Sequence, residues 1–463
     1  MQVNRSAIVV AAFVVGGLPS CKHGPQKPNC TPPKGQVWFA VGGSEFAPRS
    51  QRIPGTFDWD GGWPCSLDLA IGEQPSLALG ANDEAVAAYS GETGVGLHVR
   101  QFAAGSWADL DSGPSTLGLA WSSGPVRRPQ LLVDLQDRPL VRWGESPDPV
   151  YLSRYFEGAW DSFGHAGGSG IVTSWDGAAV VNVVGQPILF YEGPTLPTQI
   201  LATQYDGTTW LDFPGSGPPQ GVSQSASDSF APSAGTNGSG CLVAAWSVTG
   251  LQGGPSGIFV SEYIGGVWNQ LVGSGSGGAV SGLDTWARQP EIVCTASGLP
   301  VVAWLTADLN SNSITAYVYV ARFDGVAWVD LAGSASGLGL TGGPVCEFSI
   351  ALDRNDNPIV AWRSGCASPL DADQGTNEIY LKQFNGTTWQ GIDGSDSGGG
   401  VSNSEVGGSS PSVAVSNDMI CVAWSEGEPY YAECDPAAVD EPDSYCYPYG
   451  TGHPRILIRC ANY

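Results

Sequence analysis

Few residues of this 463-residue chain have types and spacings that do chemistry. The four histidines, His23, His98, His165 and His453, are scattered, and no Ser/His/Asp constellation for nucleophilic catalysis can be picked out around them. His98 sits in the alternating run Leu-His-Val-Arg-Gln-Phe, a structural setting. With 44 Asp and Glu residues, paired carboxylates for acid–base work are available anywhere and discriminate nothing. No catalytic residue and no cofactor site is therefore assigned. Asp353-x-Asn355-x-Asn357 opens like a calcium loop, but the Gly and the later Glu that complete one are absent. Equivalent segments elsewhere, ANDEA, DLQDRP and TASGLP, vary in ligand number, so turn chemistry is the expectation there. The segment from Ser425 to Pro454 gathers carboxylates with no basic residue before Arg455, and it also carries Tyr430, Tyr431, Tyr445, Tyr447 and Tyr449. Glu426, Glu428, Asp435, Asp440 and Asp443 are its candidate calcium ligands, against the plainer reading of a solvated acidic loop.

Charge excludes one class of partner. Lys and Arg number 19 and the net charge is −25, so nucleic-acid phosphates and anionic lipid surfaces are repelled at long range. The one basic doublet is Arg127-Arg128. Charged residues make up only 14% of the chain, against 42% hydrophobic residues, 65 Gly and 34 Pro. That much apolar material builds a core, and that much Gly and Pro leaves little room for helices. A large all-β protein is what remains.

The N-terminus has a short basic start, an apolar run from Ala7 to Leu18, and a small residue before Cys21. This pattern reads as a secretory signal over residues 1–20, too short for a membrane span. Leu18-Pro19-Ser20-Cys21 resembles a bacterial lipoprotein signal, which implies lipidation of Cys21 and a tether over residues 21–34. Stable anchoring then needs several acyl chains. Of eleven Cys, removing Cys21 leaves an even set, which in an exported chain reads as disulfides. No CxxC pair suggests a metal. Cys346 and Cys366 flank a predicted turn symmetrically, Cys421 and Cys460 fall on adjacent antiparallel strands, and Cys434–Cys446 would close the segment between them. Cys30–Cys65 and Cys241–Cys294, the latter between neighbouring repeats, complete the expected set.

One phrase organises the chain, an apolar β run ending in Gly-x-x-Trp or a near variant. It places Trp107, Trp160, Trp210, Trp268, Trp328 and Trp389 at intervals of 50 to 61 residues. Upstream of each lies a second β run ending in an aromatic residue: Tyr89, Trp143, Tyr191, Trp246, Trp304 and Trp362, with a seventh copy at Trp424. Each unit parses into four strands, A to D, with an Asx-Gly corner between C and D at Asp206-Gly207, Asp324-Gly325 and Asn385-Gly386. Four antiparallel strands per repeat without helices describe propeller blades. The seventh unit lacks strand D at its C-terminal end, and residues 35–44, with Trp38, carry the same Gly-x-x-Trp phrase. The expectation is one seven-bladed β-propeller over residues 35–463, its last blade completed by the N-terminal strand, which also seals the open sheet edges. The recurring Trp residues could stack on sugars, but their recurrence in every unit assigns them to the inter-blade core.

The phrases PVVAW, YVYVARFDGVAW and LAGSASG resemble repeats of uncharacterised exported bacterial propeller proteins, loosely similar to sialidase-type propellers. That likeness implies architecture. Sialidase activity would need an arginine triad, a Tyr/Glu nucleophile pair and S-x-D-x-G-x-x-W boxes. The segment at residues 395–401 lacks the Trp, and no triad can be assigned. The expected function is a non-catalytic binding or scaffold module on the extracellular or outer-membrane surface of a bacterium, joined to the membrane only through its lipid. A protein or glycan partner is expected on the face bearing the D–A and B–C loops. The alternatives are a self-assembling structural subunit that gives its N-terminal strand to a neighbour, and a sialidase-like hydrolase or lyase.

Overall fold

A computed structural model describes residues 67–462 except 72, 92–93, 104–105, 111–117, 121–124, 146–148, 164–169, 175, 250–256, 272, 274–278, 283–285, 309–314, 366–376, 405–406 and 427–454. The described residues form 29 strands and no helix. Blade 1 contains β2 (Glu73–Leu79), β3 (Ala85–Ser90), β4 (Leu97–Ala103) and β5 (Ser106–Asp109) as strands A to D. Blade 2 contains β6 (Val126–Val133), β7 (Pro139–Glu145), β8 (Pro149–Phe156) and β9 (Ala159–Asp161), with β10 (Val172–Thr173) added beside β8. Blade 3 is β11 (Gly177–Val181), β12 (Pro187–Glu192), β13 (Ile200–Tyr205) and β14 (Trp210–Asp212). Blade 4 is β15 (Asp228–Thr236), β16 (Leu242–Thr249), β17 (Gly257–Ile264) and β18 (Val267–Gln270). Blade 5 is β19 (Trp286–Cys294), β20 (Pro300–Asp308), β21 (Thr315–Phe323) and β22 (Trp328–Asp330). Blade 6 is β23 (Val345–Leu352), β24 (Pro358–Ser364), β25 (Ile379–Phe384) and β26 (Trp389–Gln390). Blade 7 is β27 (Gly408–Val415), β28 (Met419–Glu426) and β29 (Arg455–Asn462), completed by β1 (Leu67–Ile71).

The seven A strands touch one another in a closed ring, β27 meeting β2. The protein is thus a seven-bladed β-propeller closed by an N-terminal strand. The described closing strand is Leu67–Ile71, which the Gly-x-x-Trp phrase does not mark, and residues 35–44 lie outside the described residues. Two expected disulfides are present, Cys241–Cys294 between blades 4 and 5 and Cys421–Cys460 within blade 7. Cys346 is also disulfide-bonded. Its expected partner Cys366 lies outside the described residues, as do Cys21, Cys30, Cys65, Cys434 and Cys446.

Seven apolar seams hold the blades together, and the repeated aromatics fill them. The strand-B residues Trp143, Trp246, Trp304, Trp362, Trp424 and Tyr89 are buried. Four of these indoles stack on the strand-C ring opposite, with ring centroids 5.2 Å apart for Trp143–Tyr151 and 5.9 Å for Trp304–Tyr319. His98 occupies that slot against Tyr89, which is the structural setting its sequence context suggested. The strand-D Trp residues enter the seam with the preceding blade. Trp160 Nε1 donates to Leu110 O (2.8 Å), Trp210 Nε1 to Phe163 O (3.1 Å) and Trp389 Nε1 to Leu331 O (2.7 Å).

The D–A connections differ from free loops. In each of blades 1 to 6 the outer strand is split. Its lower half carries the Trp, then the chain makes a Gly/Ser excursion, and a later residue returns to pair with the first part of strand C. These returns are Leu119 to Leu97, Ile171 to Val150, Val222 to Ile200, Val280 to Ile258, Leu340 to Val318 and Val401 to Ile379. Serine hydroxyls fix the excursion, as in Ser216 to Ala202 O, Ser334 to Val320 O and Ser395 to Leu381 O. Residues 394–404, part of the D–A connection of blade 6, are committed to this edge. Tyr380 pins them further by donating to Gly398 O (2.7 Å).

Inside the ring, the inner strands share a second device. Gln74-Pro75, Arg128-Pro129, Ala231-Pro232, Gln289-Pro290 and Ser410-Pro411 each form a β-bulge whose first residue has φ between 43° and 52°. A bulge is where an inner strand tolerates proline, because no ladder donor is lost. The inner-strand side chain opposite the residue before the strand-B aromatic, which directly follows the Pro in these five blades, caps the inward N–H of the next blade's inner strand. Ser76 accepts from Leu131 N, Gln130 from Ala179 N, Ser233 from Ile292 N, Glu291 from Ile350 N, Ser349 from Val413 N and Ser412 from Leu77 N, all at 2.8–3.3 Å. Blade 3 has Ala178 at this position and supplies no acceptor.

Glu291 is the ionisable member of this girdle. Burial pushes its carboxyl up to about 7, against the opposing pull of the Ile350 N–H. Between the ordinary glutamate value of 4.5 and about 7, the native protein holds a proton that the unfolded chain has lost. Stability from this residue is therefore full below pH 4.5 and falls as pH rises through 7. Gln keeps an acceptor for Ile350 N and cannot ionise. Glu291→Gln should match the parent near pH 4.5 and exceed it by roughly 1 kcal/mol at pH 8, where the channel-side position screens part of the charge, in denaturant unfolding at both pH values.

Candidate functional site

The mouth of the central channel, on the side where B–C and D–A connections lie, gathers charge over blades 2 and 3. β6 delivers Arg128 at its bulge, and the bulge turns that side chain out of the strand's alternation, 56% exposed. β7 delivers Arg142, which is 3% exposed. The chain just before β11 delivers Asp176, also buried, and β12 ends in Glu192.

Asp176 is the hub. One of its oxygens accepts from Arg128 Nη1. The other accepts from Arg142 Nη2 (3.3 Å) and Gly177 N (2.8 Å). Arg142 Nη1 also donates to Arg128 O (3.0 Å), which fixes the bulge from beneath. Burial pulls Arg142 below its ordinary range while the Asp176 carboxylate pushes it back. Gly177 is required here, because a Cβ would stand 2.7 Å from Phe190 O and 3.3 Å from Arg142 Nη2.

The network crosses neighbouring blades. Gln74 Oε1 of blade 1 accepts from Arg128 N (2.9 Å), and Glu192 Oε1 accepts from Ala231 N of blade 4 (2.9 Å). Ser174 accepts from Glu192 N (3.1 Å) and donates to Asp176 O (2.6 Å). Burial raises the Glu192 carboxyl, opposed by the Ala231 N–H, and burial also raises Glu73. The result is one outward guanidinium on a rigid polar floor, suited to hydrogen-bonding a carboxylate, sulfate or hydroxyl group.

The candidates named from sequence fall elsewhere. Glu426 accepts from Trp424 Nε1 (3.3 Å), while Glu428, Asp435, Asp440 and Asp443 lie outside the described residues. Among the described residues no three His, Cys, Asp or Glu side chains gather as metal ligands. Asp353 is spent within its turn. Its Oδ1 accepts from Asn355 N and Asn357 N, and its Oδ2 from Asn357 Nδ2 and Gln383 Nε2. Of the mouth residues, sequence reasoning singled out only Arg128, as half of the lone basic doublet. The x-Pro pairs at inner-strand starts were the signal that could have located the rest.

No protein-family model and no curated protein matches the sequence. Solved structures similar to the chain include an ulvan lyase, a polysaccharide lyase bound to -[GlcA(1-4)Rha3S]-, at 12% identity and TM-score 0.47, covering 78% of this chain and 93% of that one. The Aleuria aurantia lectin is similar at 13% identity and TM-score 0.41, over 71% of this chain and 97% of that one. A protein of unknown function from Dyadobacter fermentans matches at 11% identity and TM-score 0.38, over 89% and 100%. Likeness of this degree does not extend to sites or ligands.

The two arginines of the mouth differ in what they hold up. Asp176→Asn strands the buried Arg142 and should cost about 3 kcal/mol, whereas Arg128→Ala, at an exposed position, should cost under about 1 kcal/mol. Equilibrium urea unfolding of both variants checks the contrast.

Proposed function

We propose that the protein is an exported, non-catalytic binding module whose propeller is a rigid platform and whose ligand, a glycan or a protein, seats on the channel mouth against Arg128. The observation that carries this reading is the mouth itself. Its buried acids and Arg142 are locked in structural hydrogen bonds, and one guanidinium is left outward on a floor that crosses neighbouring blades. The conspicuous aromatics are invested in the seams. Glycan recognition here therefore rests on polar contacts rather than on the repeated Trp residues.

The Cys241–Cys294 and Cys421–Cys460 disulfides support the extracellular part of the reading, because they fit an oxidising compartment. Lipidation of Cys21 and surface anchoring belong to the same proposal.

A glycan array weighted towards uronic and sulfated sugars, followed by titration calorimetry on the hits, tests the proposal. Binding should weaken at least tenfold in Arg128→Ala while the fold is retained. Hits that bind the variant equally well would remove the mouth as the site.

A further inference from the structure

The B–C connection of blade 3 rises from the floor of the mouth. It leaves strand B at Glu192, whose carboxylate holds Ala231 N and feels the charges of Asp176 and Arg128, and it enters strand C at Ile200. Its tip, Pro194-Thr195-Leu196-Pro197, is exposed throughout. Leu196 is 85% exposed, more than any other large hydrophobic side chain among the described residues. A lone exposed leucine is ordinary on a protein surface. The support beneath this one is not.

Three buried polar side chains, Gln199, Ser223 and Asp228, hold the connection in place. Gln199 Oε1 accepts from Ser225 N (2.9 Å) and Ser223 Oγ (2.9 Å), while its Nε2 donates to Ser225 O (2.9 Å) and back to Pro197 O (3.3 Å). Ser223 Oγ also accepts from Ile200 N (3.0 Å). Asp228 Oδ1 accepts from Thr198 N (2.6 Å), and Ser229 N donates to Thr198 O (2.9 Å). The base is closed by Gly193 N donating to Gln199 O (2.8 Å). Asp228 and Ser229 open the inner strand of blade 4, the same strand whose Ala231 N is held by Glu192. The connection, Glu192 and the start of blade 4 are thus one rigid unit. Leu196 is presented at a fixed place, so little further ordering is needed when something binds it.

The two groups offered by this side of the mouth define a partner. Arg128 presents a guanidinium, 56% exposed, which suits a carboxylate through charge-assisted hydrogen bonds. Leu196 presents a branched aliphatic end. Sugar hydroxyls packed against it would lose water without gaining a hydrogen bond, whereas an apolar side chain gains by the contact. A polypeptide carries carboxylates and apolar side chains close together on one strand. We infer that the ligand of the mouth is a polypeptide segment, bound with an Asp, Glu or C-terminal carboxylate on Arg128 and an aliphatic or aromatic side chain against Leu196. The inference rests on the mouth being the binding site, and it narrows the ligand class there from glycan or protein to protein.

Phage selection of random linear peptides on the immobilised intact protein, followed by calorimetry on the synthetic peptides selected, tests it. Selected sequences should share a carboxylate close to an apolar side chain. Their dissociation constants should rise roughly tenfold in Leu196→Ser, the scale of one leucine side chain removed from contact, and by a similar factor in Arg128→Ala. Leu196→Ser should keep the parent's urea midpoint, because the side chain it removes is exposed. Equal binding by the parent and Leu196→Ser overturns the leucine anchor; the mouth remains the site if Arg128→Ala still weakens those peptides. Weaker binding in Leu196→Ser with full binding in Arg128→Ala overturns the mouth as the site, and the shared ligand with it. Failure to select any peptide overturns the polypeptide class, and Arg128-dependent glycan hits would then return the mouth to sugars.

Discussion

The structure depends on what happens to the inward-facing N–H groups of its seven innermost strands. A propeller blade has two edges, and the inner one faces a channel too narrow for another strand. Unpaired donors there would carry the cost of a broken hydrogen bond each. This chain caps them with an inner-strand side chain of the preceding blade, so that all but one of the blades complete their neighbour. Because the caps run head to tail around a closed ring, six of seven junctions are specified by a residue that has no role within its own blade. At the exception, where Ala178 offers no acceptor, Glu192 reaches across from blade 3 to Ala231 N one level higher.

That inner constraint explains the outer architecture. Once the A strands are locked, the blades fan outward and wedge-shaped seams open between them. Large rings fill these seams better than aliphatic side chains, which accounts for the strand-B indoles and the strand-D Trp residues. The Gly/Ser excursions bring the chain back to the top of each strand C, and the Tyr hydroxyls of blades 5 and 6 tie the glycine carbonyls down. The Cys241–Cys294 bridge reinforces the blade 4–5 junction alongside the Ser233 cap. At the mouth, the same bulge that positions a cap turns Arg128 outward.

Much of this was legible in the residues. The strand-B phrase gave seven blades because a buried aromatic opposite a strand-C ring is needed once per blade. The Cys421–Cys460 pairing followed from strand order, and Cys241–Cys294, reached only by completing the set, is also present. The turn chemistry expected at Asp353 is visible where its carboxylate accepts from Asn355 N and Asn357 N of its own turn. Other features were hidden for physical reasons. Leu67–Ile71 contains no Trp because it is an upper half-strand, and the split is invisible when Gly and Ser are read as loop. The cluster of Arg142, Asp176 and Glu192 joins residues on three different chain segments, and only the ring brings them together. Pro75, Pro129, Pro232, Pro290 and Pro411 were written in the sequence, yet a proline normally argues against an inner strand until the bulge that accepts it is seen.

The capped ring is most directly tested by amide hydrogen exchange on the intact protein, read at single-residue resolution. Leu77, Leu131, Ala179, Ile292, Ile350 and Val413 should exchange as slowly as the central strand-B amides, through global unfolding alone, while Ala234, facing Ala178, should exchange faster. Rapid exchange at those six amides with the B strands still protected would show that the caps do not hold the ring, and would contradict the account.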